Sequence, residues 1–138
     1  MFTTKDIAKL RDRSGASVRQ FFDRLPHSAS VTPHGKTRWT RGDSILCITA
    51  QELARIIPAD TACRAVAVHA SQILEAARVD EPLYAIGWPD GDETRVVVTG
   101  DRRRAAEVAT GRAGAVVADL ALIASAADGA LDRIRLEA

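Results

Sequence analysis

Residues 15–26 read GASVRQFFDRLP, and this stretch decides the fold that the sequence predicts. Ser17 is a favourable N-cap and Pro26 cannot continue a helix, so we expect a short helix from Val18 to about Leu25. Its apolar side chains recur at helical spacing, at Val18, Phe21, Phe22 and Leu25. The opposite face is polar and partly basic, with Ser17, Arg19, Gln20, Asp23 and Arg24. The stretch therefore predicts an amphipathic helix whose outer face carries cations.

A first helix is predicted just before this stretch. Thr3 or Thr4 can cap a helix that runs from about Thr4 to Leu10 or Arg11. Asp6 falls in its first turn, where the helix dipole favours negative charge. We expect a turn over residues 12–16 between the two helices.

A short basic hairpin is predicted after Pro26. Val31 and residues 37–39 favour strands, and His34-Gly35 is a turn signal between them. We therefore expect a hairpin over residues 31–40, with basic side chains on its returning arm.

A third helix is predicted to follow the hairpin. Thr40 or Asp43 can open it, and Pro58 ends it after about Ile57. Its buried side would consist of aliphatic residues, namely Ile45, Leu46, Ile48, Leu53, Ile56 and Ile57.

The rest of the chain alternates helix signals with one hairpin signal. We expect an alanine-rich helix over 60–79, strands over 83–88 and 94–99 around a turn at 89–92, a helix from Arg102 capped by Asp101, and a helix over 115–127 after Gly111 and Gly114. The tail, 131–138, fits either a helix or a short strand.

Charge is distributed unevenly along the chain. The net charge of the 138 residues is +1. Residues 1–58, however, contain ten Lys and Arg and five Asp and Glu, which gives them a net charge of +5. The remaining residues have a net charge of −4. A basic half joined to an acidic half indicates a surface for a polyanion on one of them.

The order helix, turn, helix, basic hairpin, helix is that of a winged helix-turn-helix, and its chemistry fits double-stranded DNA. A short helix over about 17–25 with a polar face can enter the major groove, where Arg pairs with guanine and Gln with adenine. The candidate groove residues are Ser17, Arg19, Gln20 and Arg24. The hairpin's Lys36, Arg38 and Arg41 are candidates for phosphate contacts, with His34 and Thr37 as polar helpers.

At these residues the sequence resembles the MerR/excisionase group of winged helix-turn-helix proteins. The matching segments are residues 3–10 (TTKDIAKL), 15–22 (GASVRQFF) and 35–40 (GKTRWT) leading into Asp43. The resemblance covers about residues 1–57. It implies that Arg19 lies on the recognition helix, that Arg38 lies on the wing, and that Trp39 packs the wing onto the body. The long dimerising helix and effector domain of full-length MerR regulators are not recognisable, so no effector mechanism is implied.

Other kinds of site receive little support from the sequence. Cys47 and Cys63 lie in apolar stretches and are expected to be buried free thiols. Asp90, Asp92 and Glu93 suit the tip of a hairpin for turn reasons alone. We expect no catalytic residues, no metal site and no cofactor, and therefore not an enzyme.

The expected compartment is the cytoplasm. The N-terminus is polar from its start, without the pattern of a signal peptide. The longest apolar run, residues 113–127, is too short to span a bilayer and is interrupted by Asp119.

The sequence predicts an α+β fold, mainly α: a winged helix-turn-helix over residues 1–58, then a small helix, hairpin, helix association domain over 59–138. A homodimer through the second part would match a palindromic DNA site. Its apolar candidates are Tyr84, Ile86, Trp88, Val96 and Val98 of the hairpin and Val116, Val117, Leu120 and Ile123 beyond it. Three functions stay open: a sequence-specific transcriptional regulator, an excisionase-like architectural DNA-binding protein, and a protein-binding adaptor.

Overall fold

The computed structural model of the protein describes residues 1–26, 30–31 and 37–137. These form an α+β fold, mainly helical, as the sequence predicts, with two small antiparallel sheets of strand order β1-β3-β2 and β5-β4-β6. The elements are β1 (Phe2–Thr3), α1 (Thr4–Arg11), α2 (Gly15–Asp23), β2 (Ser30–Val31), β3 (Thr37–Trp39), α3 (Arg41–Leu53), α4 (Ala59–Val68), α5 (Ala70–Val79), β4 (Tyr84–Asp90), β5 (Glu93–Thr99), α6 (Arg102–Ala109), β6 (Val116–Asp119) and α7 (Leu120–Glu137). Across the described residues, no helix combines the length and apolar character needed to cross a membrane.

The first two helices form as predicted, but the turn between them is shorter. Thr3 caps α1 through a capping box in which its hydroxyl accepts from the Asp6 N–H and its own N–H donates to the Asp6 carboxylate. After α1, Asp12 takes a left-handed conformation with φ of 51°. The N-cap of α2 is Ser14 and not Ser17, because the Ser14 hydroxyl accepts the Ser17 backbone N–H at 3.1 Å. The expected turn over 12–16 thus contracts to three residues, 12–14.

The first sheet contains a strand that the sequence did not reveal. β2 and β3 pair as the arms of the predicted hairpin, with Ser30 opposite Arg38. β1 pairs with the other side of β3, with Phe2 opposite Trp39. The predicted turn at His34-Gly35 and the basic residue Lys36 lie outside the described residues. The N-terminus therefore holds β3 against α1.

α3 is the central helix of the molecule. Thr40 caps it, its hydroxyl accepting the Asp43 N–H at 3.1 Å. Every residue from Ser44 to Gln51 is buried, as is Leu53. The helix ends at Leu53, and the last residues before Pro58 continue only as turns, so the predicted end at Ile57 is four residues too late.

The core runs across the predicted domain boundary at Pro58. Buried side chains from residues 1–58 and from residues 59–138 belong to one hydrophobic cluster, which includes Trp39, Ile48, Ile73 and Leu131. α3 packs against α4 and α5 and lies along α7. The division into two domains at Pro58 remains a prediction.

In the second part, two predicted helices are interrupted. The helix expected over 60–79 is two helices, because the backbone at His69 leaves helical geometry with φ of −107° and ψ of 22°. The helix expected from residue 115 begins with a strand, since residues 116–119 pair with β4 as β6. α7 follows and carries the tail as a helix to Glu137. The predicted hairpin forms with Tyr84 opposite Thr99 and Asp90 opposite Glu93.

The second sheet has both faces covered by protein. Val98 and Ala118 lie opposite Ala85, and Val96 and Val116 lie opposite Gly87; these side chains face the main core. Ile86 points to the other face, which α6 covers. Leu120 is buried and Ile123 packs against the core. The apolar residues predicted for a dimer contact are therefore largely used within the chain, and of them Val117 is the most exposed, at 50%.

Candidate functional site

The outer face of α2 carries the residues predicted to contact DNA bases. Val18, Phe21 and Phe22 are buried, so the opposite side of this nine-residue helix points to solvent. Arg19 and Gln20 are exposed on that side, and Ser17 is half-buried at its N-terminal end. The structure thus brings three of the predicted groove residues onto one accessible face.

Trp39 fixes this helix to the first sheet. Its ring stacks on Phe22, with centroids 3.8 Å apart and planes 6° from parallel. Its indole Nε1 donates to the Thr4 hydroxyl at 2.9 Å, which adds a link to α1. A buried indole N–H without a partner would be costly, so this hydrogen bond also sets the ring's orientation. Three elements, α1, α2 and β3, therefore meet at one side chain.

Arg19 joins the outer face of α2 to β3. Its guanidinium carbon lies 5.8 Å from the centroid of the Trp39 ring. Its Nε is 3.5 Å from an Asp23 carboxylate oxygen, one turn further along α2, and both side chains are more than half exposed. Such an exposed pair is weak and leaves the guanidinium available to a stronger anion. Arg19 is thus accessible and held near the strand.

Arg38 is the neighbour of Trp39 on β3. Its neighbour Trp39 points into the core, and successive side chains of a strand point to opposite faces. Arg38 therefore lies on the outer face of the first sheet, where it is half-buried opposite Thr3 and Ser30. Thr37 occupies the preceding strand position, and of its side chain nothing is described; His34 and Lys36 lie outside the described residues.

Arg24 is placed differently from the other α2 candidates. It lies just after the helix, and its Nη1 is 3.1 Å from a carboxylate oxygen of Asp60 on α4. Its side chain is 45% exposed. The contact ties the end of α2 to the second part of the chain and partly neutralises this guanidinium.

Arg41 is the candidate most fully engaged within the protein. Its Nε donates to an Asp128 carboxylate oxygen at 2.6 Å, and its Nη2 donates to the Asp128 carbonyl at 2.8 Å and to Asp132 at 2.6 Å. The hydrogen bond with Asp128 raises the pKa of Arg41 above its ordinary value, against the opposing effect of burial. This geometry makes Arg41 a link between α3 and α7.

Arg13 is an additional cation near α2, and it was not among the DNA-binding residues predicted from the sequence. It is exposed in the turn before α2, where its guanidinium carbon lies 5.6 Å from the Phe21 ring centroid. Its Nη1 also lies 3.4 Å from the Ser17 hydroxyl. In the sequence, only its position in the turn between α1 and α2 indicated that Arg13 could lie at this surface.

The His, Cys, Asp and Glu side chains of the described residues were the candidates for a metal site or a nucleophile. Within residues 1–26, 30–31 and 37–137, no cluster of three or more His, Cys, Asp or Glu could hold a metal ion. Cys47 and Cys63 are free and buried, as predicted. Burial raises the pKa of the Cys47 thiol to about 12, so it stays protonated and is a poor nucleophile at neutral pH.

Comparison of the sequence with protein-family models and with curated proteins finds no match to either.

Proposed function

We propose that this protein binds double-stranded DNA as a winged helix-turn-helix, with α2 in the major groove and the β2–β3 arm against the phosphate backbone. The observation that supports this most directly is the approach of Arg19 to Trp39, because it shows a cation on the accessible side of α2 next to a residue of β3. The three-residue turn between α1 and α2 has the length typical of a helix-turn-helix.

The side chains divide into two roles under this proposal. Arg19 and Gln20, which are exposed on α2, contact base edges, together with Ser17, which is half-buried at the N-terminal end of the helix. Arg38 and Arg13 contact phosphates on either side of that helix, which sets its register without reading sequence. Arg24 and Arg41 are left out of the contact set, because Arg24 lies beyond the end of α2 and contacts Asp60 on α4, and Arg41 is held by two carboxylates of α7.

The function we infer is transcriptional regulation at a palindromic site by a homodimer. A single helix of this size covers few base pairs, and two copies related by a two-fold axis would double the contact. The open edge of β6 is the proposed dimer contact, because Val117 is half exposed there and β6 pairs with β4 on its other side.

The test is a measurement of binding to DNA selected from a random pool, by fluorescence anisotropy over a series of salt concentrations. Arg19→Ala should reduce the preference for selected over random DNA by about 1–3 kcal/mol. Arg38→Ala should weaken both alike and reduce the salt slope by about one. Arg104→Ala, an exposed arginine on α6, is the matched control and should change neither.

The proposal fails if the parent protein shows no salt-dependent affinity for DNA, or if Arg19→Ala and Arg38→Ala bind as the parent does. Circular dichroism of each variant establishes that the fold is retained. Bending of a circularly permuted fragment by the parent protein would identify an architectural role in place of regulation.

A further inference from the structure

A cavity opens between α1, α3 and α7, away from the outer face of α2. Its volume is about 380 Å³, within the range of small-molecule sites. Its walls are mostly apolar, with Leu10 from α1, Ile48 from α3 and Leu122 from α7. Leu122 is 67% exposed, so its side chain is accessible at this cavity. The cavity thus offers apolar surface that the fold leaves uncovered.

Three charged side chains interrupt these walls. Arg11 and Glu52 form an ion pair across α1 and α3, and Glu52 also accepts from Arg55. Arg133 of α7 is the third, and its side chain is exposed. The cavity lining thus carries two arginines, Arg11 and Arg133, and one carboxylate, Glu52, which is already paired with Arg11.

Gln51 adds an unmet polar group behind the Arg11 side of the cavity. Its Oε1 accepts from Arg11 Nε at 3.1 Å, while its fully buried Nε2 has no hydrogen-bond partner in the described part of the chain. Buried donors are nearly always satisfied, so each exception calls for an explanation. Gln51 does not line the cavity, so this donor lies behind the wall and is not counted among the contacts of a ligand.

We propose that this cavity binds a small apolar carboxylic acid, with its hydrocarbon part against Leu10, Ile48 and Leu122 and its carboxylate toward Arg133. Apolar walls with a few placed charges orient such a ligand and select its charge. An alcohol of the same length would fill the same walls but would gain no charge-assisted hydrogen bond. The proposal concerns the protein alone and does not depend on the proposed binding of DNA.

The experiment uses octanoate, octanol and octylamine as probes, with the full-length protein and without DNA. Isothermal titration gives the affinities, and amide chemical shifts give the location. Octanoate should bind saturably and shift amides of α1, α3 and α7, with octanol about tenfold weaker and octylamine weaker still.

Two pairs of variants separate the effect of the Arg133 charge from the effect of the free volume inside the cavity. Arg133→Gln should weaken octanoate about tenfold and leave octanol unchanged, while Arg104→Gln on α6 changes neither. Ala126→Phe places a ring in the cavity from an exposed position on α7 and should abolish binding; Ala106→Phe, at an exposed position on α6, should not.

Equal affinity for octanol and octanoate would overturn the proposal without recourse to any variant. So would the absence of saturable binding, shifts centred outside the three helices, or unaltered binding by Ala126→Phe. If octanoate does not bind and Ala126→Phe changes the sedimentation coefficient, the cavity is covered by a second copy of the chain and the ligand site is refuted.

Discussion

Phe22 and Trp39 stack face to face although seventeen positions of sequence separate them, with their centroids 3.8 Å apart. Phe22 is fully buried and Trp39 is 1% exposed. This pair sets the position of the β3 strand on the α1–α2 unit, and so determines where Arg19 and Arg38 lie relative to each other.

Replacing Trp39 should therefore be among the most destabilising changes in the chain. Trp39→Ala should lower the free energy of unfolding by about 3–5 kcal/mol, as for other buried aromatic truncations. Trp39→Phe keeps a ring on Phe22 but loses the hydrogen bond to Thr4, and should cost about 1–2 kcal/mol. Urea unfolding followed by circular dichroism measures both. Trp88→Ala is the control, because Trp88 is only half-buried; a loss as large as that of Trp39→Ala would contradict the central role of Trp39.

Arg41 should affect stability and leave DNA affinity unchanged. Arg41→Ala breaks hydrogen bonds to Asp128 and Asp132 and should lower the free energy of unfolding by about 1–2 kcal/mol, a value reduced by the partial exposure of the two carboxylates. A double-mutant cycle with Asp128→Asn isolates the pair. Arg78→Ala, which breaks an exposed pair within α5, should have no measurable effect. Weakened DNA binding by Arg41→Ala, with stability unchanged, would restore the phosphate-contact role that the sequence predicted.

Glu52 should give the protein an acid-sensitive contribution to stability. Burial alone would raise the pKa of its carboxyl, but the hydrogen bond and charge of Arg11, with those of Arg55, outweigh burial and lower the pKa below its ordinary value of 4.5. Because the folded pKa is the lower one, the contribution is complete above the ordinary value and is lost as pH falls through the lowered value.

Urea unfolding between about pH 3 and pH 6 tests this, since Glu52→Gln should lower stability at pH 6 and lose less of it on acidification than the parent does. Glu107→Gln, at an exposed position on α6, is the control. Parallel pH profiles for the parent and Glu52→Gln would show that the Arg11 pair does not contribute.

Val117 should control self-association if β6 is the dimer contact. Val117→Lys places a charge on the open strand edge, a feature that blocks edge pairing in natural sheets, and should convert a dimer into a monomer in sedimentation equilibrium. Val68→Lys is the control, because it makes the same exchange at another exposed valine, on α4 and 72% exposed, and it should leave the dimer intact. A parent protein that is monomeric throughout the concentration series would refute the homodimer.

The features that the sequence predicted correctly depend on neighbouring residues. The helix cap at Thr3, the helix cap at Asp101 and the hairpin around Gly91 are all set by local chemistry. Strand β6 was missed because its alanine- and valine-rich sequence suits a helix equally well, and only its pairing with β4 decides between them.

The solvent exposure of the candidate site residues could likewise be predicted only in part. The buried stripe of α2 determined which side chains face solvent, so Arg19 and Gln20 could be selected from spacing alone. The engagement of Arg41 could not be foreseen, because Asp128 and Asp132 are 87 and 91 positions away in the chain. A basic residue near a turn carries no local sign of such a partner.

The burial of α3 on all sides has a consequence for dividing this chain into fragments. A polypeptide that stops at Pro58 would present to water the flank of α3 that α4, α5 and α7 cover in the whole protein. This fragment would tend to aggregate or to bind the fragment 59–138. The two fragments mixed together should regain structure that neither has alone. Heating the intact chain should then produce a single melting event shared by the basic and acidic portions.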